Sequence, residues 1–274
     1  MSVEPRVDAI RRLWPRGRPL IGMVHLLALP GSPGWGGSMN AVLTRALDDV
    51  RALTEGGMDG VLVENYLDVP FFPGAVQPET VAALTRVVGA VVARSEVPVG
   101  VNVLRNDARS ALGIAVACDA SFIRVNVHTG IMWTDQGQIE GRAADTLRLR
   151  RALASDVAIF ADVHVKHATP PPGQRLEAAA ADTWYRGLAD VLVVSGSATG
   201  DATATEDVRR ARAGAPEAPV LVGSGVNPQS VATILDVADG AIVGTSLTRA
   251  GRAGTGIDMD RVRALVRAAG SHRA

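Results

Sequence analysis

Along the chain, short apolar runs alternate with longer amphipathic ones. Eight runs are brief, rich in Val and Ile, and bounded by turn residues: LIGMVHL (20–26), GVLVENY (60–66), VPVGVNVL (97–104), FIRVNVH (122–128), AIFADVHVKH (158–167), DVLVVSGS (190–197), PVLVGSGV (219–226) and GAIVGTSL (240–247). Runs of this length and composition read as buried parallel strands. The segments between them carry helical spacing, as in NAVLTRALDDVRALTEGG and PETVAALTRVVGAVVARS. Strict alternation of eight strand–helix units predicts an α/β fold, a single (β/α)8 TIM barrel. A doubly wound sheet would show G-x-G-x-x-G after its first strand, and none follows here. No composition break divides the chain. Residues 1–18 are therefore assigned to an N-terminal arm and residues 19–274 to the barrel.

The connections are unequal. LPGSPGWGGSM, LDVPFFPGAVQ, TGIMWTDQGQIEG and ATPPPGQ follow the first, second, fourth and fifth strands, whereas EGGMDG and SEVP at the opposite rim are short. Elaboration of the C-terminal rim alone is the pattern of a ligand-binding barrel. Trp35 and Trp133 sit in these rim loops, as lid candidates or as ordinary loop packing.

Side chains of a strand point alternately to opposite faces. In FIRVNVH the polar set is Arg124, Asn126 and His128; in FADVHVKH it is Asp162, His164 and Lys166. The apolar set must meet the helices, so the polar set is expected inside the barrel. Glu64, Asn102 and His25 join it by the same parity. Buried charges are costly unless paired or used. Arg124, deepest of its set, is expected to pair with Asp162 or Glu64. The others point to a site: Lys166, Asp162, His164 and Glu64 as catalytic candidates, with His25, Asn102, Asn126, His128 and Ser195 lining the substrate space.

Composition sharpens one of these. Lys166 is the single lysine, the other 27 of 28 basic residues being arginine. A solvated cation tolerates either type, but only lysine can act as a neutral amine. A neutral Lys166 would form a Schiff base with a carbonyl; a charged one would stabilise an enolate or a phosphate. The D-x-H pair also admits a divalent metal, with Glu64, Asp162 and His164 as weak ligand candidates. No cofactor is required by these residues.

The seventh and eighth strands end in small residues, Gly223-Ser224-Gly225 and Gly244-Thr245-Ser246. In many barrels these two loops hold a phosphate on backbone N–H groups. Asn227-Pro228 reads as an N-cap and first helical residue. SGSATG after the sixth strand adds Gly200 to the predicted phosphate-binding set of Gly200, Gly223, Ser224, Gly225, Gly244 and Thr245. No Walker A motif occurs.

Net charge is zero and 47% of residues are hydrophobic. That excludes a general nucleic-acid binder, which needs a basic surplus. Cys118 is the only cysteine, so no intrachain disulfide forms. The N-terminus lacks the apolar core of a signal peptide, and no apolar run reaches the roughly 18 residues of a membrane span. The expectation is a cytoplasmic protein, at most peripheral on a membrane. Homo-oligomerisation is expected, with Trp14 of the arm packing on a neighbour.

Taken together, IGMVHLLALPGSPGWGG, GVLVENYLDVPF, VGVNVLRNDARSALGIA, FIRVNVHTG, ADVHVKHA, VSGSATG and LVGSGVNPQSV resemble the BtpA/SgcQ family of TIM-barrel proteins over residues 18–270. The resemblance shows no departure at His25, Glu64, Asn102, Asn126, Asp162, His164 or Lys166. It implies a relation to a cyanobacterial protein needed for photosystem I accumulation and found peripherally on thylakoids. It also implies a relation to a member encoded among sugar-uptake and sugar-phosphate genes.

The functional expectation is an enzyme acting on a small phosphorylated metabolite, of sugar-phosphate lyase, aldolase or isomerase type. A non-catalytic assembly or stability factor is one alternative. Glycosidic-bond chemistry on a nucleoside or phosphoribosyl compound is another.

Overall fold

The computed structural model describes residues 8–195 and 201–273. Its eight barrel strands are β1 (Leu20–His25), β2 (Gly60–Glu64), β3 (Val99–Asn102), β4 (Phe122–Val125), β5 (Ala158–Val163), β6 (Val191–Val194), β7 (Val220–Val222) and β8 (Ala241–Val243). All pair in parallel in chain order, and β1 closes the ring on β8 through Leu20↔Ala241, Ile21↔Ile242 and Gly22↔Val243. This is the predicted (β/α)8 barrel. Every strand residue is buried, as expected of a sheet covered on its outer face by helices and filled within.

Several predicted boundaries move. The fourth and fifth runs leave the sheet early, at Val125 and Val163 rather than at 128 and 167. The helix expected from Asn227 is regular only over Val231–Leu235. Asn227 still caps the preceding turn, its Oδ1 accepting from the N–H groups of Gln229 (2.9 Å) and Ser230 (3.0 Å). TGIMWTDQGQIEG is a β-hairpin, Ile131–Thr134 with Gly137–Glu140, whose first strand also pairs with Ala168–Thr169. The chain following β5 is thereby fastened to the rim hairpin. Of the lid candidates, Trp35 packs on the main core, whereas Trp133 in the hairpin is 44% exposed.

The barrel's interior has two layers along its axis. At the strand N-termini, Ile21, Leu62, Phe122, Phe160, Leu221 and Ile242 form an apolar cluster. Phe122 and Phe160 stack at 4.5 Å, and Phe122 occupies the space a side chain at Gly100 would need. The arm closes this end. Trp14 follows the short helix Ala9–Leu13, packs edge-on against Phe122 and Phe160, and donates from Nε1 to the carbonyl of Asp59 at 2.6 Å. Trp14 is thus engaged by its own barrel.

Aspartates tie the same end together. Asp59, Asp190 and Asp239, ahead of β2, β6 and β8, accept from the N–H groups of Leu20, Ile159 and Val220 at the starts of β1, β5 and β7, at 2.8, 2.7 and 2.7 Å. These donors would otherwise lack a ladder partner.

Candidate functional site

The upper interior layer is polar. Two or more positions beyond the apolar cluster, the inward residues become His25 on β1, Glu64 on β2, Asn102 on β3, Arg124 and Asn126 at β4, Asp162 on β5 and Ser195 after β6. All seven are buried. On β7 and β8 the inward positions are Gly223 and Gly244. A Cβ at Gly223 would lie 3.2 Å from both Arg124 Nη2 and Ser195 Oγ; one at Gly244 would lie 3.1 Å from His25 Cε1. These glycines leave room for the polar layer and open it upward.

Within the layer the groups pair as chemistry requires. Arg124 Nε and Nη2 donate to Asp162 Oδ1 (3.1 and 3.0 Å), and Nη2 also reaches Oδ2 (3.1 Å). Asn126 Nδ2 donates to Asp162 Oδ2 at 2.6 Å. Arg124 Nη2 lies 3.4 Å from Ser195 Oγ. Both oxygens of Asp162 are therefore engaged. Burial raises its carboxyl, while Arg124 and Asn126 hold it back toward the ionised form. The arrangement makes Asp162 the anchor of Arg124 rather than a free base, a correction to its expected catalytic place.

Glu64 is different. Its Oε2 accepts from Asn102 Nδ2 at 2.6 Å, and its Oε1 lies 3.7 Å from His25 Nε2. Complete burial pushes the Glu64 carboxyl up, opposed by Arg124 and Asn102 and aided by the charge of Asp162. Burial lowers His25 to about 4, so its imidazole is neutral near pH 7. Its ring lies 4.5 Å from that of Tyr66, tilted by 38°. A buried carboxyl raised toward neutrality beside a neutral imidazole is the pairing general acid–base chemistry uses.

The parity expectation fails at the strand ends. His164 takes a left-handed backbone (φ 53°), which turns it out of the barrel. It lines a small cavity with Asn126, Asp162, Gln174, Ala179 and Thr183, and burial lowers its pKa. His128 is buried on the same outer side, its Nε2 2.8 Å from the carbonyl oxygen of Gly187. Neither lines the mouth cavity that holds Glu64 and Lys166, where both were expected. Asp162 and His164 line that small cavity together. Among the described residues no three His, Cys, Asp or Glu side chains converge as ligands.

Lys166 does reach the mouth. The chain turns at His164 and again at His167 (φ 57°), which brings Lys166 back over the cup. It is half-buried, and burial, then the charge of Arg124, lower its pKa. With His25, Glu64, Arg124, Gly223 and Gly244 it lines one cavity of about 900 Å³. That lies within the usual range for small-molecule sites. Ser224, Gly225 and Thr245 line the same cavity. Ser224 Oγ is buried without a hydrogen-bond partner among the described residues. Gly200 lies outside the described residues.

Arg105 belongs to this site and was missed from sequence. It is 8% exposed, lines the cavity, and donates from Nη2 to the carbonyl of Lys166 at 2.7 Å. The available signal was an arginine directly after the third strand, in VNVLRND, at the elaborated rim. Asp135, in the turn of the rim hairpin, also lines the cavity.

Fold and site together define a (β/α)8-barrel protein whose C-terminal mouth holds a polar, small-molecule-sized cup. The BtpA family profile matches residues 16–271, and the chain belongs to the BtpA family. It is 49% identical over 250 residues to the photosystem I biogenesis protein BtpA of Synechocystis, covering 91% of this chain and 87% of that protein. It is 32% identical over 248 residues to the putative sgc region protein SgcQ of Escherichia coli, covering 89% and 91%. Among solved structures, Mycobacterium tuberculosis tryptophan synthase superposes with a TM-score of 0.60 at 19% identity, covering 97% of this chain and 95% of that one. Phosphoribosyl anthranilate isomerase from Thermococcus kodakaraensis gives 0.57 at 12% identity, covering 93% and 99%. At these identities the likeness is one of fold.

Proposed function

We propose that this protein is an enzyme acting on a small phosphorylated metabolite, by lysis or isomerisation next to a carbonyl, at the C-terminal mouth of the barrel. One observation carries the reading: a single cavity joins Glu64, His25 and Lys166 to the glycine turns after β7 and β8. The phosphate rests on the turns at Gly223–Gly225 and Gly244–Thr245, where Ser224 Oγ offers an unused donor. Glu64 moves the proton, being the inward carboxyl that no cation pairs within 4 Å among the described residues, apart from the neutral His25. His25 and Asn102 fix its orientation. Lys166, with its pKa lowered, supplies the amine beside the reacting carbonyl. Arg124 and Asp162 set the floor.

The test is a thermal-stabilisation screen of the full chain with phosphorylated sugars, followed by turnover assays on the hits. Glu64→Gln and Lys166→Arg are expected to lower turnover by about 10²- to 10⁴-fold, the usual weight of a proton-transfer group. Borohydride trapping separates an imine route, which leaves a reduced adduct on Lys166, from an enediolate route, which leaves none. A screen without stabilising compounds, or full turnover in Glu64→Gln, overturns the reading.

A second reading, an assembly factor, is favoured by the name of the 49%-identical relative and by exposed apolar side chains at the rim, Tyr66, Val69, Phe72 and Trp133. It predicts that Glu64→Gln and Lys166→Arg leave the cellular phenotype intact, while polar substitution of Phe72 and Trp133 removes it. No helix among the described residues is long and apolar enough to cross a membrane.

A further inference from the structure

Among the described residues two arginines are buried, Arg124 and Arg105, and several half-buried ones pair with carboxylates. Arg124 grips Asp162, Arg45 pairs with Asp49, Arg150 with Asp190, and Arg212 with Asp239. Arg105, the other buried arginine among the described residues, is not paired in this way. It is 8% exposed, yet among the described residues no carboxylate lies within 4 Å of it. The guanidinium's single hydrogen bond there is the one from Nη2 to the carbonyl of Lys166. A guanidinium carries five N–H donors, so most of this fork is unused. Glu64, Asp162 and Asp135 act on it only from farther off. Removing a charge from water without a partner is costly, and the planar fork is the shape that grips carboxylate or phosphate.

Its place in the ring is as informative as its lack of a partner. Arg105 follows β3, and in the closed order β3 stands four strands from β7 in either direction. The hydrogen bond to Lys166 places the guanidinium on the β3-to-β5 side of the mouth. The glycine turns lie on the other side, after β7 and β8, and both line the same cavity. Glu64 on β2 and Lys166 after β5 lie between these ends.

We propose that the substrate is anionic at both ends, its phosphate on the β7 and β8 turns and a second acidic group, carboxylate or phosphate, held by Arg105 across the mouth. This rests on the phosphate reading above and adds the class of substrate to it. The reacting carbon then sits in the interior of the molecule, above Glu64 and beside Lys166. Arg105 acts as a binding and specificity residue, and through its bond to the carbonyl of Lys166 it ties substrate binding to the position of the amine.

The experiment is calorimetric titration of the full chain with four probes: glucose 6-phosphate, 6-phosphogluconate, fructose 1,6-bisphosphate and gluconate. At least one of the two doubly anionic probes is expected to bind tenfold or more tightly than glucose 6-phosphate, and the better of the two identifies the second group. In Arg105→Gln that preference falls to near one, while the affinity for glucose 6-phosphate changes less than threefold. Arg105→Lys, which keeps the charge, retains part of the preference and carries the test should Arg105→Gln fail to fold. Equal binding of the singly and doubly anionic probes, or an undiminished preference in the variants, overturns this inference and leaves the phosphate reading standing. Tight binding of gluconate with no binding of glucose 6-phosphate, or no binding by any phosphorylated probe, overturns both.

Discussion

The two ends of the barrel's interior are built from the same eight strands and behave as opposites. At the N-terminal end, Phe122, Phe160, Leu62 and Ile242 fill the space and Trp14 closes it. At the C-terminal end, two residues further along the same strands, the inward positions are Glu64, Arg124, Asp162 and the glycines 223 and 244, and the space stays open. Burying apolar surface is worth roughly 25 cal/mol per Å², whereas burying charges gains little or costs stability. A barrel closed only for stability would repeat the apolar layer. That this one stops after its lower half is the contrast on which the proposed ligand site rests.

Substitutions can break or sharpen this contrast. The largest expected effect is on turnover alone. Lys166→Arg and Glu64→Gln remove about 10²- to 10⁴-fold in kcat/KM. The midpoint of chemical unfolding for Lys166→Arg, at a half-buried rim position, stays within about 0.5 kcal/mol of the parent. In the lower layer the pattern reverses: Phe160→Ala is expected to cost about 3–5 kcal/mol in unfolding free energy. The affinity of folded protein for a phosphorylated ligand is then unchanged. Loss of affinity in well-folded Phe160→Ala would erase the division between the halves.

Asp162 marks where the upper half is itself structural. Asp162→Ala leaves the Arg124 guanidinium buried without its bidentate partner and is expected to cost about 3–5 kcal/mol by urea unfolding. A near-neutral result would mean that water reaches Arg124 and the floor is not sealed.

The pH dependence of stability gives a smaller readout. His25 has a folded pKa of about 4, below the ordinary histidine value of 6.5. Between those values the unfolded chain binds a proton that the folded protein refuses, so stability falls as pH drops through this window, by about 1.4 kcal/mol per unit. Glu64, raised on folding, contributes the opposite slope, stability being lost as pH rises above its unfolded value. The diagnostic quantity is the difference between the parent and His25→Gln, measured by urea unfolding from pH 7 to pH 4. The parent should lose ground steadily relative to the variant, and parallel curves would contradict a neutral, buried His25.

Smallest is Gly244→Ala, whose Cβ would press on His25 and Met23. It is expected to cost about 1 kcal/mol, as mild overpacking does, with a several-fold loss of phosphate-ligand affinity.

Much of this was legible from the residues, and the failures share one cause. Alternation placed His25, Glu64, Asn102, Arg124, Asn126 and Asp162 inside the barrel because each lies on a strand or one residue past its end, where the pleat still governs direction. His128 and His164 were misplaced by carrying the count beyond the last hydrogen-bonded residue. At His164 a left-handed backbone turns the chain and resets the parity. Lys166 reached the mouth although the geometry assumed for it was wrong: it returns over the cup on a turn fastened to the rim hairpin, not at the end of a longer strand. The hairpin is signalled by Asp135-Gln136-Gly137, with Gly137 at φ 93° supplying the turn, between strand-like residues of the rim connection. Arg105 went unseen because nothing in a run of sequence says that a cation will lack a partner.

The central claim is that the open upper half of the barrel is a phosphate-anchored reaction site. The most direct measurement is a crystal structure of the full chain grown with a phosphorylated sugar that raises its melting temperature. The account predicts phosphate density against Ser224 and the turns at Gly223–Gly225 and Gly244–Thr245, with the sugar carbons extending toward Glu64 and Lys166. Density for the ligand elsewhere on the molecule, with those turns in contact only with solvent, would contradict it.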